Sequence, residues 1–538
     1  MLKLGRLFTV CIVLIAMLFA GAGSPIHAEE SKVSFYRPFP QGAVGVTRPM
    51  IGILFELKGN PELESYKLNL DGKQVSLTWN PVDPKFVYIP DKDLTPGEHK
   101  AELIIHFKGF REIYRSWTFT IAASPVKTIA QPAQYQQFGI TAINDFRKIL
   151  GLQSVQWNDR LAGSATKHVE YLKANYPDDY KGSYPLSHYQ ESDGAGFFGK
   201  TPAERAKYFG YPYFTGEVNR IRGNNTIWTD IDNLFHAPYH RFAYMVPDAK
   251  EVGLARSENF TVINFGGSPD SRVNPLMIVS PAESQTHVPI QWENRETPDP
   301  LRMHANAPKI VGYPIAVTVH GTYVKRIDVA SAELASSTGD QVELYVNRPG
   351  QDENLSTEAV FIPKKPLQAF TMYTMNVKLK VTMEDDTIVP LDKEWSFSTE
   401  KKKNYWKSAV HKGTTHTAVF GLENDYFDAD GIRFKTSVKP ETVDGSAYLY
   451  VRDLAVAFGA DVAWDNKLQA AIYERGERRI VLYTTRNQYE ADGQVNMTDT
   501  PAKLIHDNTM IPVRLLAEVL GSTVAYDPNT RTVTVTFE

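Results

Sequence analysis

One stretch of the sequence has the residue types and spacing of a phosphate-binding loop. Residues 194–201 read Gly-Ala-Gly-Phe-Phe-Gly-Lys-Thr, which matches the Gly-x-x-x-x-Gly-Lys-Thr pattern letter for letter. Phosphate binding by such a loop requires a buried strand before the loop and a helix whose N-terminus meets the phosphates. Residues 184–193 are instead polar and irregular, and Thr201, Pro202 and Glu204 have the spacing of a helical capping box. We therefore expect a helix start here and no nucleotide.

Other catalytic signatures are missing from the sequence. It contains no Gly-x-Ser-x-Gly elbow and no His-Glu-x-x-His zinc motif. Residues 428–431 (Asp-Ala-Asp-Gly) lack the first ligand and the closing glutamate of a calcium loop. The only cysteine, Cys11, lies in the N-terminal apolar run, so a cysteine nucleophile and disulfides are both excluded from the processed chain.

The N-terminus has the organisation of a signal peptide. Lys3 and Arg6 precede an apolar run over residues 7–20, and small residues end at Ala28 before two glutamates. The run is short for a membrane-spanning helix, which favours cleavage after Ala28 over a retained anchor. We therefore expect a secreted protein with no stable membrane anchor after cleavage.

The size and charge of the chain limit its architecture and partners. A chain of 538 residues is too long for one hydrophobic core, so several domains are expected. The net charge of −4 is mildly acidic and gives no electrostatic support for nucleic-acid binding.

Hydrophobic periodicity divides the chain. Short alternating segments with turn residues indicate β-sandwiches, and apolar residues three and four apart indicate helices, as in Leu161, Ala165, His168 and Leu172. The predicted divisions are a signal peptide (1–28), a β-sandwich (29–124), a mixed helix and strand domain (131–268), a second β-sandwich (276–400), a charged linker (401–412) and a C-terminal α+β domain (413–538).

The C-terminal domain contains an internal repeat. Val451-Arg452-Asp453-Leu454-Ala455 recurs 62 residues later as Val513-Arg514-Leu515-Leu516-Ala517, and Gly459 recurs as Gly521. Each unit is expected to fold as a strand, a short helix that ends at a left-handed glycine, and further strands.

Residues 135–268 carry short stretches that resemble a known family in the family's own order. They are Asn144 with Arg147, Gly151-Leu152, Trp157-Asn158, the helix from Leu161 to Tyr171, Ser187-His188, Gly216-Glu217, Ala237 to Arg241 and Phe265-Gly266. The ordered set resembles the CAP superfamily (cysteine-rich secretory, antigen 5 and pathogenesis-related proteins) in its bacterial secreted branch. The resemblance implies an α-β-α sandwich with a shallow cleft lined by two histidines and two acidic residues.

The resemblance places three residues of this chain at cleft positions, namely His188, Glu217 and His240. The fourth, acidic position has no clear counterpart. Ala237 occupies its approximate place. Asp230 or Asp232 could supply the missing carboxylate only if the backbone folded so that it reached the cleft.

The residue types at these positions leave three interpretations open. Two neutral imidazoles and a carboxylate are a workable zinc shell, with His188 and His240 as the ligands and a place left for water. The same set could transfer protons. It could also be a hydrogen-bonded scaffold that holds loops together without disulfides. His168 lies on the apolar side of its helix and is expected in the core or just behind the cleft.

The flanking segments resemble two further modules. The C-terminal repeat is similar to the copper amine oxidase N-terminal domain, or stalk domain, of secreted bacterial proteins, and the β-rich segments are similar to bacterial Ig-like domains. The repeat itself carries a single histidine, His506, so we expect a spacer or envelope-contact role and no copper site.

Two functions follow as expectations. The first is a secreted, envelope-associated protein without catalytic activity that binds a small ligand, lipid or cell-wall component in a His/Glu cleft. The second is a metal-assisted hydrolase acting on peptide or cell-wall material through the same three residues. The missing acidic residue favours the first, and whether the protein is held in the wall or released stays open.

Overall fold

The computed structural model describes residues 11–12, 32–35, 38–58, 61–80, 85–126, 131–176, 187–221, 226–267, 272–400, 415–430, 432–475 and 478–538. Most of the expected signal peptide and the expected linker at 401–412 lie outside these residues. None of the described helices is both long and apolar enough to cross a membrane. The predicted fold class, β-sandwiches around one mixed domain with a C-terminal α+β domain, is confirmed.

The first β-rich segment folds into two five-stranded sheets, ordered β1-β2-β4-β8-β7 and β3-β10-β9-β5-β6. Apolar side chains from both sheets, such as Val44, Ile53 and Phe119, are buried in one core between them. The strands are β1 (Cys11–Ile12), β2 (Lys32–Phe35), β3 (Gly42–Val46), β4 (Ile51–Lys58), β5 (Leu63–Leu70), β6 (Lys73–Val75), β7 (Thr78–Asn80), β8 (Lys85–Tyr88), β9 (Gly97–Phe107) and β10 (Ile113–Val126).

The mixed domain places one four-stranded sheet, ordered β11-β13-β14-β12, between helices. Helix α2 packs on one face of the sheet, and α1, α4 and α5 pack on the other. The elements are α1 (Gln134–Ile149), β11 (Gln156–Trp157), α2 (Asp159–Asn175), α3 (Pro202–Tyr208), β12 (Phe214–Ile221), α4 (Ile227–His236), α5 (Pro238–Tyr244), β13 (Ala249–Arg256) and β14 (Phe260–Gly267).

A glycine on β13 lets α2 approach the sheet. A Cβ added at Gly253 would lie 2.0 Å from the backbone nitrogen of Ala162 in α2. We expect Gly253→Ala to lower the free energy of unfolding by about 1–3 kcal/mol, since helix and sheet must separate to admit the methyl group. Gly216→Ala is the control, because its Cβ would meet only Ala243, at 3.5 Å from Cβ and 4.0 Å from Cα, which are ordinary contacts. Equal losses in denaturant unfolding of the two variants would contradict the prediction.

The second sandwich is built from two four-stranded sheets, ordered β15-β18-β22-β21 and β20-β19-β23-β24, and a two-stranded pair, β16-β17. Strand β20 ends at Val342 in the β20-β19-β23-β24 sheet, and β21 begins at Leu344 in the β15-β18-β22-β21 sheet. The chain therefore switches sheets within two residues. The strands are β15 (Leu276–Ser280), β16 (Trp292–Glu293), β17 (Ile310–Val311), β18 (Ile315–His320), β19 (Val324–Ser336), β20 (Gln341–Val342), β21 (Leu344–Asn347), β22 (Glu358–Pro363), β23 (Met372–Met383) and β24 (Ile388–Ser398).

The C-terminal domain has three sheets, ordered β27-β26-β25-β38-β37, β28-β29-β36-β35 and β30-β31-β32-β33-β34. The expected left-handed glycines are confirmed, with φ of +62° at Gly459 and +75° at Gly521. The elements are β25 (His416–Gly421), β26 (Tyr426–Ala429), β27 (Ile432–Lys435), β28 (Glu441–Val443), β29 (Ser446–Tyr450), α6 (Val451–Phe458), β30 (Asp461–Asp465), β31 (Ala470–Arg475), β32 (Arg478–Tyr483), β33 (Gln488–Ala491), β34 (Gln494–Met497), β35 (Lys503–Ile505), β36 (Asn508–Pro512), α7 (Val513–Val519), β37 (Thr523–Asp527) and β38 (Thr532–Phe537).

The mixed domain contacts the first sandwich, the second sandwich and the C-terminal domain, so the modules pack against one another. At the first sandwich, Met50 N–H donates to Gly210 O at 3.3 Å. At the second sandwich, Arg241 Nη1 donates to Pro314 O at 2.8 Å. At the C-terminal domain, the ring centroids of Trp228 and His416 lie 4.8 Å apart.

Candidate functional site

The alternation of side chains along β12 decides which residues meet. Glu217 pairs across the sheet with Asn264, whose side-chain amide donates to Leu161 O in α2 at 3.3 Å. The preceding residue, Gly216, faces the other way, since a Cβ there would lie 3.5 Å from Ala243 Cβ in α5. Glu217 therefore points to the α2 face, and α5 lies on the opposite face.

Glu217 sits at the centre of a buried polar cluster. Its side chain is 1% exposed and forms an ion pair with Arg205, which is fully buried, at 2.9 Å from Nη2 to Oε2. The other carboxylate oxygen lies 3.0 Å from His188 Nδ1 and 3.8 Å from His168 Nε2. The structure thus brings two of the sequence-predicted residues, His188 and Glu217, into direct contact, and His168 lies just behind them as expected.

The charge on Glu217 fixes the orientation of His188. Burial works to raise the pKa of Glu217, but His168, the Arg205 guanidinium and the hydrogen bond from His188 outweigh it and lower the pKa to about 2. The carboxylate is therefore ionised at neutral pH, and His188 Nδ1–H donates to it. Because the His188 side chain is 39% exposed, its Nε2 is the nitrogen left for a ligand.

A relay of hydrogen bonds holds the loop that carries His188. Phe198 N–H donates to Gln190 Oε1 at 2.7 Å, and the Gln190 amide donates to His168 Nδ1 at 3.2 Å. His168 Nε2–H donates to Ser187 O at 3.0 Å, which sets its tautomer. Burial lowers the pKa of His168 to about 4, so its ring is neutral at pH 7. Ser187 is thereby fixed, and His188 follows it in the chain.

The stretch that resembles a phosphate-binding loop starts the helix that supplies Arg205. Thr201 Oγ1 accepts from the backbone of Glu204 at 3.1 Å, and the Glu204 carboxylate accepts from the backbone of Thr201. With Pro202 in the first turn of α3, the predicted capping box is confirmed. This segment contributes to the site by delivering Arg205.

His240 lies apart from His188 and Glu217. Its Nδ1 is 2.7 Å from Oε1 of Glu296, a residue that follows the mixed domain in the chain. The same oxygen accepts the backbone N–H groups of Tyr239 and His240 at 2.9 and 3.0 Å, so Glu296 caps α5, whose N-cap residue Ala237 has no capping side chain. The expectation that both imidazoles line one groove is corrected, since α5 and Glu217 occupy opposite faces of the sheet.

The absent fourth acidic residue is not replaced by Asp230. Asp230 is buried, accepts from Thr261 Oγ1 at 2.7 Å and pairs with Arg220 at 3.4 Å. Side chains alternate between the two faces of a strand, so Arg220, three residues after Glu217 on β12, points to the opposite face. Asp230 and Arg220 therefore lie on the face that α4 covers. Asp232 is also buried in α4. Neither aspartate therefore joins Glu217 and His188.

The donor set at His188 does not fit a zinc ion. Both oxygens of Glu217 are engaged by Arg205 and His188, and His240 is directed to Glu296. Among the residues that the structure describes, no group of three or more histidine, cysteine, aspartate or glutamate side chains is arranged to hold a metal. What remains is one oriented imidazole, which can accept a hydrogen bond or a proton.

Sequence reasoning missed Arg205, Gln190 and Glu296. Arg205 lies in a short helix with charged neighbours and reads as a surface residue. Gln190 lies in an irregular loop, and Glu296 lies 56 residues beyond His240. The one available signal was the capping box at Thr201, which fixes the start of α3 and hence the turn that holds Arg205.

Comparison with known families confirms the two main resemblances. Residues 140–265 match the model described as the cysteine-rich secretory protein family (CAP), and residues 428–535 match the model described as the copper amine oxidase N-terminal domain. The chain therefore contains a CAP domain and a domain similar to the copper amine oxidase N-terminal domain, and no curated protein matches it.

Several solved structures are similar to parts of the chain. An outer surface protein from Borrelia burgdorferi is 19% identical over 24% of this chain and 91% of its own, with a TM-score of 0.20. An extracellular protein containing a SCP domain from Bacillus anthracis is 12% identical over 45% of this chain and 65% of its own, with a TM-score of 0.21. CopC from Methylosinus trichosporium is 12% identical over 15% of this chain and 83% of its own, with a TM-score of 0.13. TM-scores of this size have no bearing on function.

Proposed function

We propose that the protein is exported, associates with the cell envelope, and binds a small ligand, lipid or cell-wall component at His188 of its CAP domain. The observation that supports this proposal is a partly exposed imidazole held by a buried, ionised carboxylate. A carboxylate behind a histidine fixes its tautomer and directs the other ring nitrogen outward. That nitrogen is a preorganised acceptor for a ligand.

The chemistry of the site limits the ligand. A neutral His188 offers Nε2 as an acceptor, which suits the hydroxyl groups of glycans and the amide N–H groups of peptides. The next residue in the chain, Tyr189, is 53% exposed and offers a ring for apolar contact with a ligand. Glu217 is neutralised by Arg205, so the cluster adds no strong field that would select a charged ligand.

A hydrolase is the second candidate, and the same pair of residues supports it. A histidine oriented by a carboxylate is the arrangement of a general base that activates water. Glu217 is unsuited to be the matching general acid, because it is buried, ionised and held by Arg205. The candidate therefore reduces to His188 acting as a base on peptide or cell-wall material, without the zinc shell that was one of the three interpretations of the sequence.

Binding and catalysis can be separated with one variant and a matched control. Purified protein is mixed with bacterial cell-wall sacculi or with phosphatidylglycerol vesicles, and bound protein and released soluble fragments are measured. We expect His188→Ala to weaken binding by about tenfold, the loss of one well-placed hydrogen bond to a ligand. His106→Ala is the control, since His106 is 41% exposed and also paired with a glutamate but lies in the first sandwich.

Each outcome distinguishes the candidates. Unchanged binding by His188→Ala, or no binding of wild type to either probe, would overturn the binding proposal. Fragment release by wild type that is lost in His188→Ala would establish the hydrolase instead. Release that persists in His188→Ala would exclude His188 as the base.

A further inference from the structure

The switch of the chain between the sheets of the second sandwich opens a groove. Strand β20 covers the edge of β19 only at Leu334 and Ala335. The chain then leaves this edge and forms β21, which pairs on one side with β22. The edge of β19 over residues 329–332 and the outer edge of β21 border a cavity of about 620 Å³, within the ~300–1,000 Å³ range of binding pockets.

The backbone along this groove is suited to pairing with another strand. The register of β19 against β23 shifts between Val329 and Ser331, and the intervening bulge residue, Ala330, lines the groove. Because a bulge interrupts a hydrogen-bond ladder, an added strand must pair on either side of Ala330. An edge strand presents N–H and C=O groups that an added strand can satisfy. Residues 272–400 are all described, and in this part of the chain no strand pairs with β19 at 329–332 on its outer side. The groove thus offers an unpaired strand edge.

The groove is lined by apolar and uncharged polar side chains, and the charged side chains among them are positive. Its only charged residues are Arg348, which is exposed, and Lys364, whose side chain is 40% exposed and whose pairing with Glu343 at 3.4 Å is open to solvent. No acidic residue lines it, although the chain as a whole is negatively charged. The lining residues are Met303, His304, Ala305, Val329, Ala330, Ser331, Ala332, Leu344, Tyr345, Val346, Arg348, Gln351 and Lys364.

The aromatic part of the lining is held in place before any ligand arrives. The ring of Tyr345 lies 4.8 Å from the ring of His304, and Lys364 Nζ lies 5.6 Å from the centroid of Tyr345. His304 Nε2 is bonded to Asn347 Oδ1 at 2.7 Å, and Asn347 is fully buried. A preorganised wall lowers the entropy cost of binding.

We propose that this groove binds an extended, acidic peptide segment of a partner protein, which adds as a strand to the free edge of β19. The backbone edge supplies the hydrogen-bond ladder, the apolar wall accepts alternate side chains, and Arg348 and Lys364 pair with carboxylates on the others. The edge favours a peptide over an acidic glycan, because a glycan has no N–H and C=O ladder to match it. This site is separate from His188 and does not depend on the function proposed for it.

The proposal is tested on the full chain with two synthetic peptides. Both have eight residues with capped ends, one alternating valine with glutamate and the other alternating valine with lysine. We expect calorimetry to detect binding of the valine–glutamate peptide alone, with an affinity that falls as salt is raised. Amides at 329–332 should then become protected from hydrogen exchange.

Charge-reversal variants supply the matched comparison. Arg348→Glu with Lys364→Glu should lower the affinity at least about tenfold, since both cation–carboxylate contacts become repulsive. Lys67→Glu with Lys73→Glu, two exposed lysines of the first sandwich, should change it less than about twofold. Equal binding of the two peptides, unchanged amide exchange in wild type, or displacement of the peptide by oligogalacturonate without amide protection would overturn the proposal. The last result would indicate an acidic-glycan site.

Discussion

Replacing Glu217 with alanine is expected to lower the free energy of unfolding of the CAP domain by about 3–5 kcal/mol. The substitution leaves the Arg205 guanidinium buried without its counter-charge. It also removes the acceptor of His188 Nδ1, so ligand binding at His188 should fall with it. Urea unfolding, followed by hydrogen exchange of amides in α2 and β12, measures the loss in this domain.

The control is the removal of both charges. Arg205→Met combined with Glu217→Leu fills a similar volume without ions, and such replacements of buried pairs are often neutral or stabilising. We expect the double variant to recover most of the stability lost by Glu217→Ala while binding at His188 stays impaired. A loss below about 1 kcal/mol in the single variant would show that Arg205 finds another partner or water.

The buried histidine His168 is expected to make the CAP domain sensitive to mild acid. Its pKa is lowered from an ordinary 6.5 to about 4 in the folded protein, mainly by burial. The unfolded chain therefore binds a proton between these values that the folded chain does not, so stability rises with pH there. A shift of this size corresponds to about 3 kcal/mol, present above pH 6.5 and lost as the pH falls to 4.

Glu217 extends the same trend to lower pH. Its pKa of about 2 lies below the ordinary 4.5, so the stability that it contributes is present above pH 4.5 and is lost as the pH falls toward 2. Unfolding of the CAP domain at pH 7, 6, 5 and 4 measures the histidine contribution. His168→Gln should be less stable at pH 7 but show a flatter slope between pH 6.5 and 4, whereas His106→Gln should keep the wild-type slope. Identical slopes in both variants would assign the acid sensitivity to other groups.

The fold was predictable because its signals are local. The spacing of Leu161, Ala165, His168 and Leu172 indicates α2, whose bounds in the structure are Asp159–Asn175 with Asn158 as its cap. The 62-residue repeat indicated two helices that end at left-handed glycines, and both are present. These features depend on residues a few positions apart, which sequence reasoning handles best.

The site was less predictable because its contacts join distant residues. The pairing of His188 with Glu217 was expected from a family resemblance rather than from any local pattern. Whether His240 could join them depended on which face of the sheet α5 covers. Gly216 faces α5 and Glu217, the next residue, faces the other side, so His240 in α5 is on the opposite face from Glu217. No periodicity in the sequence fixes that assignment or the contact of His240 with Glu296 in another module.

The cap that Glu296 supplies to α5 has a consequence for the CAP domain as a unit. A fragment cut after residue 268 would lose this acid, and the first turn of α5 would begin without an acceptor for the backbone N–H groups of Tyr239 and His240. The family boundary and the folding boundary therefore differ. Exchanging the second sandwich for another of the same shape would fray a helix in its neighbour, so the two modules are not interchangeable parts.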